Sequence, residues 1–479
     1  MKNMTLANIA QAVGGTLHTE MLPTETAADH TEAQSVVLDS RLVERGGIFI
    51  ATRGEHVDGH SFIDQVFDAG VLGVICEVAP VQPKGAYILV KDSFLALEDL
   101  AEYYRKQLNI KVVGITGSVG KTSTKEFVAS VLSQKYRVLK TEGNYNNEVG
   151  LPLTVLRIRE DCEVAVLEMG ISDFGEMHRL SKIAKPDVCL ITNIGQCHLE
   201  TLGTRDGILK AKTEIFDFMQ EGGQICLNGD DDKLVTIREV RGSIPVFFGG
   251  GSNNAVYADN YENRGLIGSR AQIHMKGFAA GQDVCSFEAE IPLPGEHMLY
   301  NALAATAAGM LFGLTAKEIQ KGIRDVKAVD GRSHVIRTDR LTLIDDCYNA
   351  NPVSMKAALD LLHMTVLSDV LEGGARKVAV LGDMFELGAD EAALHREVGV
   401  YAAEKQIDVL VCVGNLCKYM YEGALAVRSV TNCYYFEDKE ALAAQMDTII
   451  QDGDLVLVKA SHGMHFEDLI KMLSEPIHA

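Results

Sequence analysis

Residues 111–124 read KVVGITGSVGKTST, a short β-rich run that ends in a glycine-containing turn and continues into a helical pattern. Gly117 and Gly120 allow a tight turn, so that successive N–H groups and the start of the helix converge on an anion. The run matches the shorter T-G-x-x-G-K-[ST] form of the phosphate-binding loop, since Ile115 stands where the longer form has a glycine. The stretch predicts a nucleotide-phosphate site; the alternative is a glycine-rich turn without a ligand.

The loop itself supplies the first candidate ligands of ATP. Lys121 is expected to reach the β- and γ-phosphates, and the Thr122 hydroxyl is expected to ligate Mg²⁺. The predicted ATP-binding residues of this stretch are Gly117, Ser118, Val119, Gly120, Lys121, Thr122 and Ser123.

Composition indicates a soluble multidomain protein. At 479 residues the chain is too long for one ordinary core, so two or three domains are expected. The net charge of −21 argues against nucleic acid or an anionic membrane as the main partner. The ten cysteines include no C-x-x-C pair, which favours reduced thiols over a zinc site or disulfide framework. The absence of a signal-like N-terminus or a long apolar stretch predicts a cytoplasmic protein.

The order of strand-like and helix-like patterns predicts an α/β fold. From the loop to about residue 230, strands alternate with helical patterns, which indicates a parallel sheet covered by helices. Residues 246–292 read as a β-rich excursion, and an alanine-rich helix over 296–313 follows. The last part of the chain alternates again, without the G-x-G-x-x-G fingerprint of a dinucleotide site, and predicts a second parallel α/β domain.

Four polar residues lie where ligands are expected, at or after the carboxyl ends of strands: Glu168, His198, Asp345 and Asp346. Glu168 ends the run VAVLE, and His198 follows CLITNIGQC. Both could act as metal ligands near the phosphates, although Mg²⁺ prefers oxygen. Lys212 falls on a predicted helix. Taken singly, the first two could be surface or hydrogen-bonded residues and Lys212 a solvated lysine.

Together these segments resemble the Mur ligase family, the ATP-dependent amide-forming enzymes of peptidoglycan precursor synthesis. Two further stretches, DDCYNANPVSM (345–355) and LGDMFELG (381–388), are similar to the members that add D-alanyl-D-alanine. The motifs that carry the family resemblance are TGSVGKTSTK (116–125), GNYNNEVGLPLT (143–154), LEMG (167–170), ITNIGQCHLE (191–200), AKTEIF (211–216), PGEHMLYNALAA (294–305), DGRS (330–333), LDSR (38–41) and GGIFIATRGEHVDGHSFI (46–63).

The resemblance implies three domains and a two-step reaction. Residues 1–92 would form a small α/β domain for a uridine nucleotide, 93–318 a central P-loop ATPase-like domain, and 319–479 a C-terminal Rossmann-like domain. The peptide carboxylate of UDP-N-acetylmuramoyl-tripeptide would attack ATP to give an acyl phosphate. The amine of D-Ala-D-Ala would then displace phosphate and leave UDP-N-acetylmuramoyl-pentapeptide. The family also implies a monomer that closes its domains over the site.

The same resemblance implies roles for individual residues. Lys121, His198 and Lys212 would be catalytic, with Lys212 carbamylated by CO₂ into an anionic ligand. Two Mg²⁺ ions would be held by Thr122, Glu168, His198 and the Lys212 carbamate. Further ATP contacts would come from Asn301, Arg332 and Asp346, and substrate contacts from Ser40, Arg41, Asn144, Asn146, Asn147, Asn349 and Asn351.

The end of the chain departs from the family pattern. The family reads Lys-Gly-Ser-Arg where this chain has Lys459-Ala460-Ser461-His462, so that a histidine replaces a permanent cation. Lys459 remains a candidate contact. Two alternatives stay open: a ligase of another Mur step or of the folylpolyglutamate type, and a P-loop ATPase or nucleotide sensor whose C-terminal domain binds a partner protein.

Overall fold

The predicted α/β class is confirmed by a computed structural model, which describes residues 1–19, 30–54, 57–279, 282–366 and 376–475. The described strands form three sheets, of five, nine and six strands. Within the family-like segment 46–63, Glu55 and His56 lie outside the described residues. No described helix is both long enough and apolar enough to cross a membrane.

The strands and helices are numbered in chain order. The strands are β1 Thr16–His18, β2 Val36–Val37, β3 Ile48–Ile50, β4 Gly73–Cys76, β5 Tyr87–Leu89, β6 Lys111–Thr116, β7 Val138–Lys140, β8 Val164–Glu168, β9 Val188–Ile191, β10 Gln224–Asn228, β11 Val246–Gly249, β12 Val256–Asn263, β13 Ser269–Ala279, β14 Gln282–Ile291, β15 His334–Arg337, β16 Thr342–Asp345, β17 Lys377–Gly382, β18 Val409–Val413, β19 Asn432–Phe436 and β20 Leu455–Lys459. The helices are α1 Leu6–Ala12, α2 Ile63–Asp68, α3 Ser93–Gln107, α4 Lys121–Leu132, α5 Gly150–Leu156, α6 Glu176–Ala184, α7 Leu199–Leu202, α8 Arg205–Thr213, α9 His297–Leu311, α10 Ala316–Arg324, α11 Pro352–Met364, α12 Glu391–Glu404, α13 Cys417–Ala426, α14 Lys439–Ala443, α15 Met446–Ile449 and α16 Glu467–Ser474.

The chain divides into two compact units. The first unit comprises Met1–Thr116, Tyr136–Leu190 and Thr213–Gln224. It contains the five-stranded sheet in the order β1-β5-β4-β3-β2, in which only β1 runs antiparallel to its neighbour. It also contains the parallel strands β6, β8 and β7, with β8 in the middle.

The second unit comprises Gly117–Lys135, Ile191–Lys212 and the chain from Ile225 onward. Strands β10, β11 and β12 run parallel, whereas β12, β13 and β14 form an antiparallel ribbon. This ribbon is the predicted β-rich excursion, so the central sheet is not parallel throughout. The six-stranded sheet has the order β15-β16-β20-β17-β18-β19, and only β15 is antiparallel.

Continuous apolar runs explain why the inner strands are central. All residues of β8, β18 and β20 are buried, as expected for parallel strands that helices cover on both faces. The helices begin where capping residues stand. Asp92 accepts the N–H groups of Phe94 and Leu95 at the start of α3, a cap worth ~1 kcal/mol. The predicted domain limits at 92 and 318 stay predictions.

Candidate active site

The phosphate loop joins β6 to α4, as predicted. Gly117 has φ of 149° and Gly120 has φ of 83°, conformations that residues with a Cβ rarely adopt. A Cβ on Gly117 would also lie 1.9 Å from the Thr192 Oγ1, so no side chain fits there. Both glycines are therefore required by the backbone path and not only by a ligand.

Residues after β9 hold the loop in place. Asn193 accepts the Val119 N–H at 3.0 Å through Oδ1 and donates through Nδ2 to the Val119 carbonyl at 2.9 Å. Its own carbonyl accepts the Ser118 N–H at 3.0 Å. The N–H groups of Ser118 and Val119 are thus already bonded. The first N–H groups of α4 lack intrahelical partners, so an anion would bind at the start of this helix. Sequence reasoning missed Asn193, although its place directly after a strand in the ITNIG motif was a signal.

Lys121 lies at the first position of α4 and folds back over the loop. Its Nζ donates to the Gly117 carbonyl at 2.9 Å. Thr122 is buried beside it, and Ser123 is half-buried on the same first turn. An ammonium that donates to a loop carbonyl at this position can exchange that partner for phosphate oxygens.

Asn301, on α9, packs against this helix start. Its Oδ1 accepts a hydrogen bond from the Thr124 hydroxyl at 2.9 Å, and the residue is 5% exposed. The same oxygen would lie 3.3 Å from a Cβ on Gly120. Asn301 thus supports the phosphate loop, and its predicted contact with ATP stays a prediction.

Lys212 is a fully buried amine. The side chain is 0% exposed, and its Nζ has no hydrogen-bond partner among the described residues. Burial lowers its pKa to about 8, Cys197 acts in the opposite direction, and the nearby Lys121 charge lowers it further. The alternative of a solvated lysine is wrong. An uncompensated buried ammonium is costly, which favours the neutral amine or its conversion into another group.

Glu168 ends β8 in the first unit and is 1% exposed. It pairs across the sheet with Ile115, two residues before Gly117 in the chain. Its Oε1 accepts a hydrogen bond from the Asn146 Nδ2 at 2.8 Å, which joins a predicted metal ligand to a predicted substrate residue. The alternative of a surface carboxylate is wrong for Glu168.

His198 has an unusual backbone and an acidic neighbour. Its φ is 50°, the left-handed region that non-glycine residues rarely occupy. Its Nδ1 lies 2.6 Å from the Oε2 of Glu386, and this contact lowers the pKa of Glu386. Sequence reasoning quoted the LGDMFELG motif but did not single out Glu386.

The buried Lys459, at the end of β20, pairs with the partly buried Asp346, which directly follows β16. The Lys459 Nζ lies 2.6 Å from the Asp346 Oδ2 and donates to the Asn349 carbonyl at 2.9 Å. The other Asp346 oxygen accepts the Ser333 N–H at 3.0 Å. Both side chains therefore have structural partners, and their predicted nucleotide contacts stay predictions.

Arg332 stacks on an aromatic ring. Its guanidinium carbon lies 4.0 Å from the centroid of Tyr348, a cation–π contact. The ring of Tyr348 also stacks with His462 at 5.3 Å between centroids. The histidine that departs from the family pattern therefore belongs to the same stack as the predicted phosphate-binding arginine.

Several predicted substrate asparagines also have local structural roles. The Asn147 Oδ1 accepts the Gly150 N–H at 2.9 Å at the start of α5. Asn351 caps α11, since its Oδ1 accepts the Ser354 N–H at 2.9 Å. The Asn349 Oδ1 accepts the Ala350 N–H at 2.8 Å. Asn144 is exposed. These local bonds alone account for a polar residue at 147, 349 and 351.

In the predicted uridine segment, Ser40 and Arg41 start a short 3₁₀ turn capped by Asp39. Arg41 pairs with Asp39 at 2.6 Å, and its side chain is 84% exposed.

The two compact units divide the predicted site residues between them. Those in the first unit are Ser40, Arg41, Asn144, Asn146, Asn147 and Glu168. Those in the second unit are Gly117, Ser118, Val119, Gly120, Lys121, Thr122, Ser123, His198, Lys212, Asn301, Arg332, Asp346, Asn349 and Asn351.

Comparison with known sequences adds family matches along most of the chain. Residues 32–116 match the Mur ligase family catalytic domain, 115–309 the Mur ligase middle domain, and 331–462 the Mur ligase glutamate ligase domain. The chain belongs to the Mur ligase family. Its phosphate loop, Glu168, His198 and Lys212 therefore lie within matched Mur ligase segments.

Similar Mur ligases match almost end to end. The UDP-N-acetylmuramoyl-tripeptide–D-alanyl-D-alanine ligase of Bacillus subtilis is 39% identical over 478 residues, which covers 99% of both chains. A crystal structure of MurF from Acinetobacter baumannii superposes with a TM-score of 0.85 at 33% identity, covering 99% of each chain. MurF ligase from Thermotoga maritima, solved in complex with ADP, gives 0.77 at 29% identity, covering 92% of this chain and 97% of that one.

Proposed function

We propose that this Mur ligase adds D-alanyl-D-alanine to UDP-N-acetylmuramoyl-tripeptide with ATP, forming UDP-N-acetylmuramoyl-pentapeptide. The match over 99% of the chain to the Bacillus subtilis ligase carries the proposal. The phosphate loop with Lys121 supports the use of ATP, as does the ADP in the Thermotoga maritima relative. The DDCYNANPVSM and LGDMFELG segments support the dipeptide as acceptor.

The reaction proceeds in two displacements at phosphorus and carbon. A carboxylate oxygen of the tripeptide attacks the γ-phosphorus of ATP, and the bond to ADP breaks to give an acyl phosphate. The D-Ala-D-Ala amine then attacks the acyl carbon, loses a proton, and expels inorganic phosphate. The first step brings two anions together and the second expels an anion, so charge neutralisation and alignment matter more than covalent help from the protein.

The chain's own cations supply part of that neutralisation. Lys121 lies over the phosphate loop and would move its Nζ from the Gly117 carbonyl to the β- and γ-phosphates. Arg332, whose guanidinium stacks on Tyr348, would also reach the phosphates of ATP. Asn301 and Asp346 are assigned further ATP contacts beside their structural bonds.

The donor set of the site suits magnesium once Lys212 is carbamylated. Lys212 is buried and unpartnered among the described residues, and a free ammonium there would repel a cation. A carbamate, formed from the neutral amine and CO₂, would present anionic oxygens of the kind Mg²⁺ prefers. Thr122, Glu168, His198 and this carbamate would hold two Mg²⁺ ions. When bound, the ions would neutralise the phosphate and carboxylate oxygens.

The substrates are assigned to separate segments. Ser40 and Arg41 would contact the uridine nucleotide, and Asn144, Asn146 and Asn147 the sugar and peptide. Asn349 and Asn351 would contact D-Ala-D-Ala. Domain limits at 92 and 318 would separate these functions. We propose a monomer that acts in the cytoplasm, where the nucleotide-linked substrate would be made. The net charge of −21 disfavours nucleic acid or an anionic membrane as its partner.

The decisive experiment measures phosphate release from ATP with UDP-N-acetylmuramoyl-tripeptide, with and without D-Ala-D-Ala, together with the mass of the nucleotide product. We expect release that depends on the dipeptide and a pentapeptide product in equal amount. Phosphate release that depends on neither substrate would support the ATPase or sensor alternative. Release with another amino acid in place of the dipeptide would assign the chain to a different ligation step.

A further inference from the structure

The side chain of Glu386 contacts a proposed metal ligand although it lies far from it in sequence. Its Oε2 is 2.6 Å from the His198 Nδ1. The contact has the distance of an ion pair but not the angles of a hydrogen bond. Two electron-pair acceptors would repel each other at this distance, which favours the tautomer with its proton on Nδ1. The Nε2 lone pair of His198 is then available for another partner.

Both residues hold backbone conformations that are costly without a compensating contact. The φ angles are 50° for His198 and 61° for Glu386, and neither residue is a glycine. Left-handed backbone at non-glycine residues is concentrated at functional sites, where the surrounding structure enforces it. The contact therefore joins two strained turns and not two freely moving side chains.

The loop that presents Glu386 is anchored through the two residues before it. The Met384 N–H donates to the His395 Nε2 at 2.9 Å, and the His395 Nδ1 donates to the Glu391 carbonyl at 2.7 Å. The Phe385 N–H donates to the Ser461 Oγ at 2.9 Å. With both ring nitrogens engaged, His395 serves as a fixed support for the loop.

The two turns also approach through their backbones. A Cβ on Gly388, which has φ of 67°, would lie 3.5 Å from the Glu200 backbone nitrogen. The Glu386 side chain is 58% exposed and that of His198 is 22% exposed, so the pair lies at an edge that solvent and ligands reach.

We propose that Glu386 is a positioning residue that fixes the ring orientation and tautomer of His198, so that Nε2 faces the catalytic cation. The proposal rests on the metal-binding role of His198 under the proposed function. A histidine that ligates a metal commonly donates its other ring N–H to a carboxylate, which fixes the tautomer and raises ligand basicity.

A second consequence concerns the C-terminal segment. Glu386 lies between β17 and α12, so the cation site is complete only while this segment holds its place beside His198. Because coupling between two equilibria is reciprocal, cation binding also favours this arrangement of the segment.

The test measures Mn²⁺ binding to the full chain by electron paramagnetic resonance. A non-hydrolysable ATP analogue and UDP-N-acetylmuramoyl-tripeptide are present. We expect Glu386→Ala to weaken Mn²⁺ binding ~10- to 100-fold, as for other carboxylates behind metal-bound histidines. Glu386→Gln keeps an acceptor oxygen and should recover part of the loss. The matched control is Glu422→Gln, which removes one charge of the exposed Arg396–Glu422 pair in the same part of the chain and should bind Mn²⁺ like the unaltered protein.

Wild-type or tighter Mn²⁺ binding by Glu386→Ala would overturn the proposal. If Glu386→Ala does not fold, Glu386→Gln and Glu386→Asp are measured instead, and the tautomer of His198 is read from ¹⁵N NMR in both. Mn²⁺ binding identical to the unaltered protein, together with an unchanged His198 tautomer in both variants, would overturn the proposal. The readout is binding and not product formation. A chain that fails to make pentapeptide yet loses Mn²⁺ affinity on this substitution would refute the proposed function alone.

Discussion

The Lys121 Nζ donates a hydrogen bond to the carbonyl of Gly117 at 2.9 Å, and ATP phosphates would replace this partner. Lys121→Ala should abolish ligation, with turnover lowered ~1000-fold or more, because phosphate charge is no longer neutralised. The fold should persist, since no core residue is removed. Steady-state turnover measures the loss of ligation, and thermal melting measures the stability of the fold. The control is Lys135→Ala, which removes an exposed lysine three residues after the end of α4. Turnover within a few-fold of the control would refute the phosphate-loop assignment.

Lys212 should be just as sensitive but chemically rescuable. Lys212→Ala should be nearly inactive, and short carboxylic acids should restore part of the activity by supplying the missing oxygens. Lys210→Ala removes an exposed lysine two positions earlier on the same helix and should leave activity unchanged. Full activity of the Lys212 variant without additives would assign this lysine a role in packing alone.

The pKa of Lys212 also predicts a pH dependence. Burial lowers this pKa to about 8, and only the neutral amine reacts with CO₂. At fixed dissolved CO₂, carbamate should therefore increase as pH rises through about 8 and decline below it. The ¹³C NMR signal of the carbamate, formed from labelled bicarbonate, measures this. A signal that falls as pH rises would contradict the assignment.

For single residues, the sequence predicts the secondary structure around them better than their burial and their hydrogen-bond partners. The helix carrying Lys212 could be read from its pattern, but the complete burial of the amine depends on the packing of distant segments. Asn193 and Glu386 were missed because their partners, Val119 and His198, lie far away in the chain. Side-chain spacing within a short motif does not reveal such pairs.

Among the elements, the phosphate loop is the least tolerant of a side chain. Gly117→Ala would place a Cβ 1.9 Å from the Thr192 Oγ1 at a φ of 149°, so the loop must distort. We expect nucleotide binding to fall at least ~10-fold, since misplaced N–H groups no longer converge on phosphate. Calorimetric titration with ADP measures the loss. Gly250→Ala is the control, because its added Cβ would meet no atom closer than 3.4 Å.

Strands in the interior of the sheets were predictable because both of their faces are buried. The runs LTLIDD, KVAVLGD, DVLVCVG and DLVLVKA became β16, β17, β18 and β20, which neighbour one another. The edge strands β15 and β19 were not predicted. Their residues are mostly half-buried or exposed, so no continuous apolar run marks them.

At the scale of the whole molecule, Arg332 tests whether a distant segment completes the site. Arg332→Ala should lower kcat ~100-fold with a smaller change in KM for ATP, because a cation recruited on closure stabilises the transition state more than the ground state. Steady-state kinetics measure the split. Arg337→Ala, an exposed arginine on β15, is the control. Unchanged kinetics would leave Arg332 with its stack on Tyr348 as its only role.

The α/β class followed from the alternation of strand-like and helix-like patterns from the phosphate loop onward. The antiparallel ribbon β12–β13–β14 departs from a wholly parallel central sheet, because these strands follow one another through short connections and pair as antiparallel neighbours. The limits between domains depend on long-range packing, which local pattern does not contain.

Lys212 has a practical consequence for anyone who handles this protein. Under the proposed carbamylation, this buried amine, whose pKa is lowered to about 8, takes its CO₂ from the dissolved gas. Two batches of the same polypeptide could then differ in active fraction according to degassing, storage buffer and dialysis. The gas history of a sample becomes an experimental variable, and bicarbonate belongs in the assay buffer before two variants are compared.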